Sequence, residues 1–330
     1  MSNIDTTMNR RRALKLGGSV TGGLLAASSS LLAAPNLVAA SSRMVSTSVG
    51  SLPVKEIEAI MQAPGMVMDG VLDIHIERKD LNVIQRIPGD GEVPFKPEWE
   101  NNGDFFFQSL GNGQAILNGD FGGLLPNEID PFIDKLLEGG LIFQALHQHF
   151  YDLFPQVYFV HFRGIGDPLQ LARAAIAAVK VTSTPLPQTS PSHPTTPLPA
   201  KELGSILGAP ASVEGAGVVS VDVPRRNTVT LQGIRISPEL NIATSIAFEP
   251  LGNGLQAAVA ADFSMVASEV QNVIRVMRQQ GWVIGCLYNQ ETDEQPQLYF
   301  SHTVKVGNAI ELAHEVRRGL NQTNSVGSPS

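Results

Sequence analysis

The chain has one cysteine, Cys286, among 330 residues, with only two tryptophans and four tyrosines. A single thiol excludes an internal disulfide, so stability has to come from a packed core. Basic clusters are equally scarce. Beyond Arg10-Arg11-Arg12 no run of three or more Lys or Arg occurs, and the formal net charge is −8 at pH 7. Gly-x-Ser-x-Gly, Walker and dinucleotide fingerprints are missing, which removes the usual serine-nucleophile and nucleotide-cofactor readings. What the chain does have is 43% hydrophobic residues, enough to build a sizeable core.

The first forty residues read as an address. "NRRRALKL" places paired arginines before a weakly apolar Gly/Ala/Ser/Leu stretch that ends in "NLVAASS", where Val38 and Ala40 suit signal peptidase. The expectation is a twin-arginine signal peptide over 1–40, cleaved to give a periplasmic or extracellular protein, with an uncleaved membrane anchor as the competing reading. No cysteine follows the apolar stretch, so a lipobox is excluded. Removing Asp5, Arg10, Arg11, Arg12 and Lys15 leaves 19 basic and 30 acidic residues, a net charge of −11. Nucleic acid and anionic lipid are poor partners for such a chain, and no membrane span is expected after cleavage.

The remainder repeats itself. "LPVKEIEAIMQAP" (52–64) returns as "LPAKELGSILGAP" (198–210), and "EIDPFIDKLLEGGLIFQAL" (128–146) aligns without a gap on "EVQNVIRVMRQQGWVIGCL" (269–287). "PQVYFVHF" matches "PQLYFSHT". These matches predict two copies of one domain, at 51–180 and 198–322, joined by a Pro/Ser/Thr-rich linker at 181–197. Each copy reads as an opening helix carrying Ile57 and Ile60 at helical spacing, alternating strands, a helix with Asn127 or Ser268 as N-cap, two more strands and a closing helix. Short turns between strands, including the "GNG" of both copies, indicate antiparallel pairing. The predicted class is α+β: two antiparallel sheets with helices packed on each, arranged as a pseudo-dimer.

The progression "GDF…EI…LLEGG…ALHQHF…P.VYFVHF", repeated in tandem after an export signal, resembles the LppY/LpqO family, exported bacterial proteins of unknown function. The resemblance covers nearly all of 52–180 and 198–320 and implies no particular activity. Two departures stand out. There is no lipobox cysteine, and the second copy reads "CLYNQ", with Tyr288 and Gln290 where the motif has histidines.

Three of the seven histidines lie in "ALHQHFYDLFPQVYFVHF" (145–162). Strand alternation puts His147 and His149 on one face, and an antiparallel hairpin of even register adds His161 to it. Three imidazoles so arranged can hold one divalent ion, zinc being the type that suits them, with a position left open for water. A polar pocket without metal, and histidines that only cap backbone groups, remain as alternatives. Asp120, Glu128 and His75 are candidates for a fourth ligand. Asp120 and Glu128 keep counterparts in Asp262 and Glu269, which favours structural roles for them, and the alternation of "LDIHIE" points His75 away from the core. His302 reads as isolated. Two functions therefore stay open: an envelope module binding a metal or small ligand, or a metal-dependent hydrolase or lyase using His147, His149 and His161.

Overall fold

A computed structural model describes residues 52–96, 99–189, 194–290 and 293–329. The leader expected at 1–40 and the middle of the linker (190–193) lie outside the described residues.

The first repeat opens with helix α1 (Val54–Met61) and the hairpin β1 (Gly65–Met68) and β2 (Val71–Glu77). An arm, β3 (Val83–Ile87) and β4 (Gly91–Phe95), leads to β5 (Asn102–Ser109) and β6 (Ala115–Leu124). Helix α2 (Ile129–Glu138), β7 (Ile142–His147), a short β8 (Leu153–Phe154), β9 (Tyr158–Gly166) and α3 (Pro168–Val179) complete it. The second repeat follows the same plan. It runs through α4 (Ala200–Leu207), β10 (Ala211–Val213), β11 (Val219–Val223), an arm of β12 (Thr230–Leu231) and β13 (Ile234–Arg235), and β14 (Thr244–Pro250). Then come β15 (Gln256–Val266), α5 (Ala267–Gln279), β16 (Val283–Ile284), β17 (Glu294–Gln295), β18 (Leu298–Asn308) and α6 (Ala309–Leu320). The main sheets are β1-β2-β5-β6-β9-β7 and β10-β11-β14-β15-β18-β16, antiparallel throughout. The class is α+β in two tandem copies. No helix among the described residues is long and apolar enough to cross a membrane.

Helices cover one face of each sheet. In α2, Phe132 and Leu136 fall four apart and are fully buried, and Phe132 stacks on Phe121 with ring centroids 4.9 Å apart. Gly140, at φ 75°, ends that helix, and Gly281, at φ 85°, follows its counterpart. The starts of these helices differ from the sequence reading. Neither Asn127 nor Ser268 caps; instead the Glu128 carboxylate reaches back to Leu125 N (3.0 Å) and Glu269 to Val266 N (2.8 Å). Each glutamate also closes on a buried arginine: Arg78 Nη1–Glu128 at 2.9 Å and Arg225 Nη1–Glu269 at 2.8 Å. The same guanidinium groups donate to the carbonyls of Gly123 and Ser264. Both halves thus keep one clamp, which ties the arm's root to the second helix.

The other face of each sheet meets the opposite half. Val83, Phe95 and Trp99 of the first arm pack with Ala247, Ala258 and Val304 of the second sheet, and the Trp99 indole donates to the Ala247 carbonyl at 3.3 Å. Leu231, Ile236 and Leu240 of the second arm pack with Val71 and Ile116 of the first sheet, and Asn118 donates to the Leu240 carbonyl at 2.9 Å. Each repeat therefore covers its neighbour's sheet.

Composition predicts an extended segment at 181–197. Its first part instead lies against the first repeat: Ser183 N donates to Glu128 (3.0 Å), Gln188 N to the Gln62 carbonyl (2.8 Å), and Val181 and Leu186 pack on the first core.

Candidate metal centre

Between the two sheets, where the arms leave off, the inward faces are polar. The β7–β9 ladder has an irregularity between Phe143 and Ala145, after which His147 stands opposite Phe159 and Ala145 opposite His161. That is an even register, and it sets the His147 and His161 side chains on one face, with Nε2 atoms 2.8 Å apart. His149 lies just beyond the end of β7, fully enclosed. One ring nitrogen from each of His147, His149 and His161 falls within 4.8 Å of the others, so the three residues picked from the sequence converge and could hold an ion.

The structure adds partners that the sequence reading omits. His302, expected to stand alone, is part of the same cluster. Its ring stacks on His149 at 3.6 Å between centroids, and Glu100, His149 and His302 form a second group with ligand atoms within 4.8 Å. Glu100 sits at the root of the first arm and bridges the halves: its carboxylate accepts from His149 Nδ1 at 2.7 Å and lies 3.4 Å from His302 Nε2. Tyr288, the replacement for a motif histidine, stacks on His147 at 3.8 Å and donates to Asp262 at 3.1 Å. Gln290 donates to the Asn241 carbonyl, and its Oε1 accepts from the Tyr288 hydroxyl at 3.3 Å. Cys286 Sγ is 3.3 Å from His302 Nδ1. A signal for His302 was present in the sequence: aligning "VYFVHF" on "LYFSHT" sets His302 against His161, and in the structure they pair with Asp262 and Asp120 respectively. Glu100 carries no such signal, because the sequence of the arm does not match between the two copies.

The fourth-ligand candidates separate clearly. Asp120 belongs at the centre, its Oδ1 3.7 Å from His161 Nε2 and without a hydrogen-bond partner. Glu128 does not, being occupied by Arg78, Leu125 N and Ser183 N. Nor does His75: Asp104 holds its Nδ1 at 2.6 Å on another part of the sheet, and the ring lines a cavity.

Burial drives the electrostatics. Loss of water, and then the neighbouring histidines, hold His147, His149 and His161 well below the ordinary imidazole value, so all three are neutral and carry lone pairs at pH 7. Burial also opposes protonation of His302, but Asp262, the Cys286 sulfur and Glu100 outweigh it and hold that ring well above its usual value. Asp120 and Asp262 are pushed above the carboxylate range, mainly by burial. His147 Nδ1, His149 Nε2, Asp120 Oδ1 and Asp262 Oδ1 are all buried without a hydrogen-bond partner. Four orphaned buried polar atoms in one cluster are costly unless something binds there. Neutral imidazoles with a carboxylate behind one of them are a donor set suited to a zinc-type ion, and the Glu100–His149 bond has the form of a ligand-orienting contact. The close approach also depends on Gly285, where a Cβ would run into the His149 carbonyl oxygen.

Comparison with known proteins bears on the whole arrangement. A family model described as Domain of Unknown Function (DUF1259) matches residues 55–181 and again 201–322. The chain belongs to that family. It contains the domain twice, and the histidine cluster draws on both copies. No curated protein and no solved structure matches.

Proposed function

We propose that this chain is a tandem metal- and ligand-binding module of the bacterial cell envelope, of the LppY/LpqO type, in which His147, His149 and His161 hold one zinc-type ion. The observation that carries the reading is the convergence of three neutral imidazoles, each with a nitrogen within 4.8 Å of the others, in a cluster whose buried polar atoms lack partners. Asp120 is the fourth ligand in this reading, and Glu100, bonded to His149 Nδ1, fixes the tautomer of that ring. An ion there would supply Lewis acidity in a water-poor site. Export by the twin-arginine route, suggested by Arg10-Arg11-Arg12, would deliver the protein already folded.

The test is elemental analysis of protein purified without a polyhistidine tag, followed by calorimetric titration of zinc. One ion per chain is expected, and His147→Ala and His161→Ala should abolish binding. Metal-free wild-type protein that fails to take up zinc would refute the proposal. Export is tested separately: replacing Arg10 and Arg11 with lysine should leave precursor in the cytoplasm, and normal export of that variant would refute the route.

A second reading is a metal-dependent hydrolase or lyase. Asp120 and Asp262 favour it, as carboxyls that burial raises above their usual range beside histidines, the direction that suits a proton-carrying acid. Turnover of ester, lactone or phosphoester substrates by the zinc-loaded protein, lost in His147→Ala, would support it.

A further inference from the structure

A cavity of about 590 Å³ opens between the two sheets, walled by β1, β2 and β5 on one side and β10, β11 and β14 on the other. That size matches pockets for small organic ligands, roughly 300–1,000 Å³. Six carboxylates line it, from Asp73, Glu77, Asp104, Glu214, Asp222 and Glu239, and among the described residues no lysine or arginine does. Two of the six are already compensated: Asp104 by His75 at 2.6 Å, and Glu77 by Lys79. Among the described residues, no ion pair reaches the other four. Asp73 Oδ1 is a buried atom with no hydrogen-bond partner. The wall is not uniformly polar, since Met66, Met68, Phe106, Pro238 and Ala243 give it an apolar side.

We propose that this cavity binds a small organic cation, an aliphatic amine or guanidinium compound whose charged end is held by Asp73 and Asp222 and whose chain lies along the Met66–Phe106 side. The argument is one of complementarity. Uncompensated carboxylates facing each other across a confined space repel one another, and a cation removes that repulsion. Burial and then Asp104 hold the Asp73 carboxyl well above its ordinary range, and the neighbouring His75 offsets only part of that. An alkyl-ammonium group satisfies the carboxylates and the apolar wall together, which an inorganic ion does not. The pseudo-symmetry gives the site its form: β2 pairs His75 with Asp104, β11 pairs Asp222 with Ser245, and these pairs occupy equivalent ladder positions in the two sheets. The same rows continue to Asp120–His161 and Asp262–His302, so the cavity lies on the path to the histidine cluster.

The proposal names a ligand class for the ligand-binding part of the function above and does not require the metal. Calorimetry on the full chain, made metal-free with chelator, would use putrescine, spermidine and agmatine, with 1,4-butanediol as the uncharged control. At least one amine should bind saturably, more weakly as salt rises, and the diol should not. Asp73→Asn with Asp222→Asn, isosteric changes that keep the volume, should weaken amine binding by about tenfold or more. His147→Ala should retain it while losing zinc, so the two readings fail separately. Absence of saturable amine binding, diol binding equal to amine binding, or undiminished binding by the double variant would overturn the proposal. Saturable binding of calcium without any amine binding would reassign the cavity to inorganic cations and overturn it as well.

Discussion

The two repeats share a skeleton and diverge at its polar face. Both keep the clamp, Arg78–Glu128 in the first and Arg225–Glu269 in the second, and both keep an aspartate paired across the sheet with a histidine, Asp120 with His161 and Asp262 with His302. Only the first has His147 and His149; the second offers Tyr288 and Gln290 instead. The divergent positions are not discarded. Tyr288 covers His147, and His302 covers His149, so the second copy forms the wall of the first copy's cluster. Duplication here has yielded one asymmetric centre rather than two equal ones, while the elements that hold the backbone stay duplicated.

If the clamps are equivalent, breaking either should cost the same. Arg78→Met leaves the buried Glu128, and Arg225→Met the partly buried Glu269, without its arginine, and each should destabilise by about 3–5 kcal/mol, read from urea midpoints. A large effect in one half and none in the other would break the equivalence. The exchanged arms should rank next. Trp99→Ala, about 3–5 kcal/mol, and Leu240→Ala, about 2–5 kcal/mol, should each loosen the sheet of the opposite repeat, a change visible as lost amide-exchange protection at 244–250 or 115–124 respectively.

The asymmetry of the centre can be sharpened by comparing Glu100, which bridges the halves, with Gln290, which meets the cluster only through Tyr288. Glu100→Gln should lower zinc affinity by about 10–100-fold, whereas Gln290→Ala, which removes an acceptor of the Tyr288 hydroxyl but touches no histidine of the cluster, should lower it much less. Gly285→Ala should also weaken binding, because the added methyl displaces the His149 backbone. Equal losses for Glu100→Gln and Gln290→Ala would mean that the cluster responds to general loosening.

The smallest effects concern pH, and they have opposite signs for His147, His149 and His161 on one side and for His75 and His302 on the other. Unfolded histidine titrates near 6.5. His147, His149 and His161 lie below that when folded, so the unfolded chain binds more protons, and the metal-free protein should lose stability as pH falls through about 6.5 and below. His75 runs the other way. Burial opposes its protonation, but Asp104 outweighs that and pushes it up to about 9, so its contribution is complete below about 6.5 and lost as pH rises through about 9. Urea melts from pH 5 to 10 should show both limbs, with His75→Gln flattening only the alkaline one.

Local patterns carried much of this into the sequence. Strand alternation places His147 beside His161 only once the hairpin register is even, and the irregularity between Phe143 and Ala145 supplies that register, because the ladder before it is odd. Internal repetition is enough to show the tandem α+β plan. What could not be read is what depends on how one sheet lies against the other. Glu100 belongs to an arm with no periodic signature, and its distance from His302 is set only by docking of the two halves. His75 shows the same limit: alternation correctly sends it away from the core, but a cavity, not open solvent, lies on that side.

The exchanged arms also order events during synthesis. Val71 and Ile116 are covered by residues near 229–242, which leave the ribosome more than a hundred residues later. The first repeat therefore emerges with an apolar sheet face bare, and its final packing waits on the second. Should the linker be cut afterwards, each half would still be gripped by the other's arm, so the nicked chain should elute as one particle rather than as two.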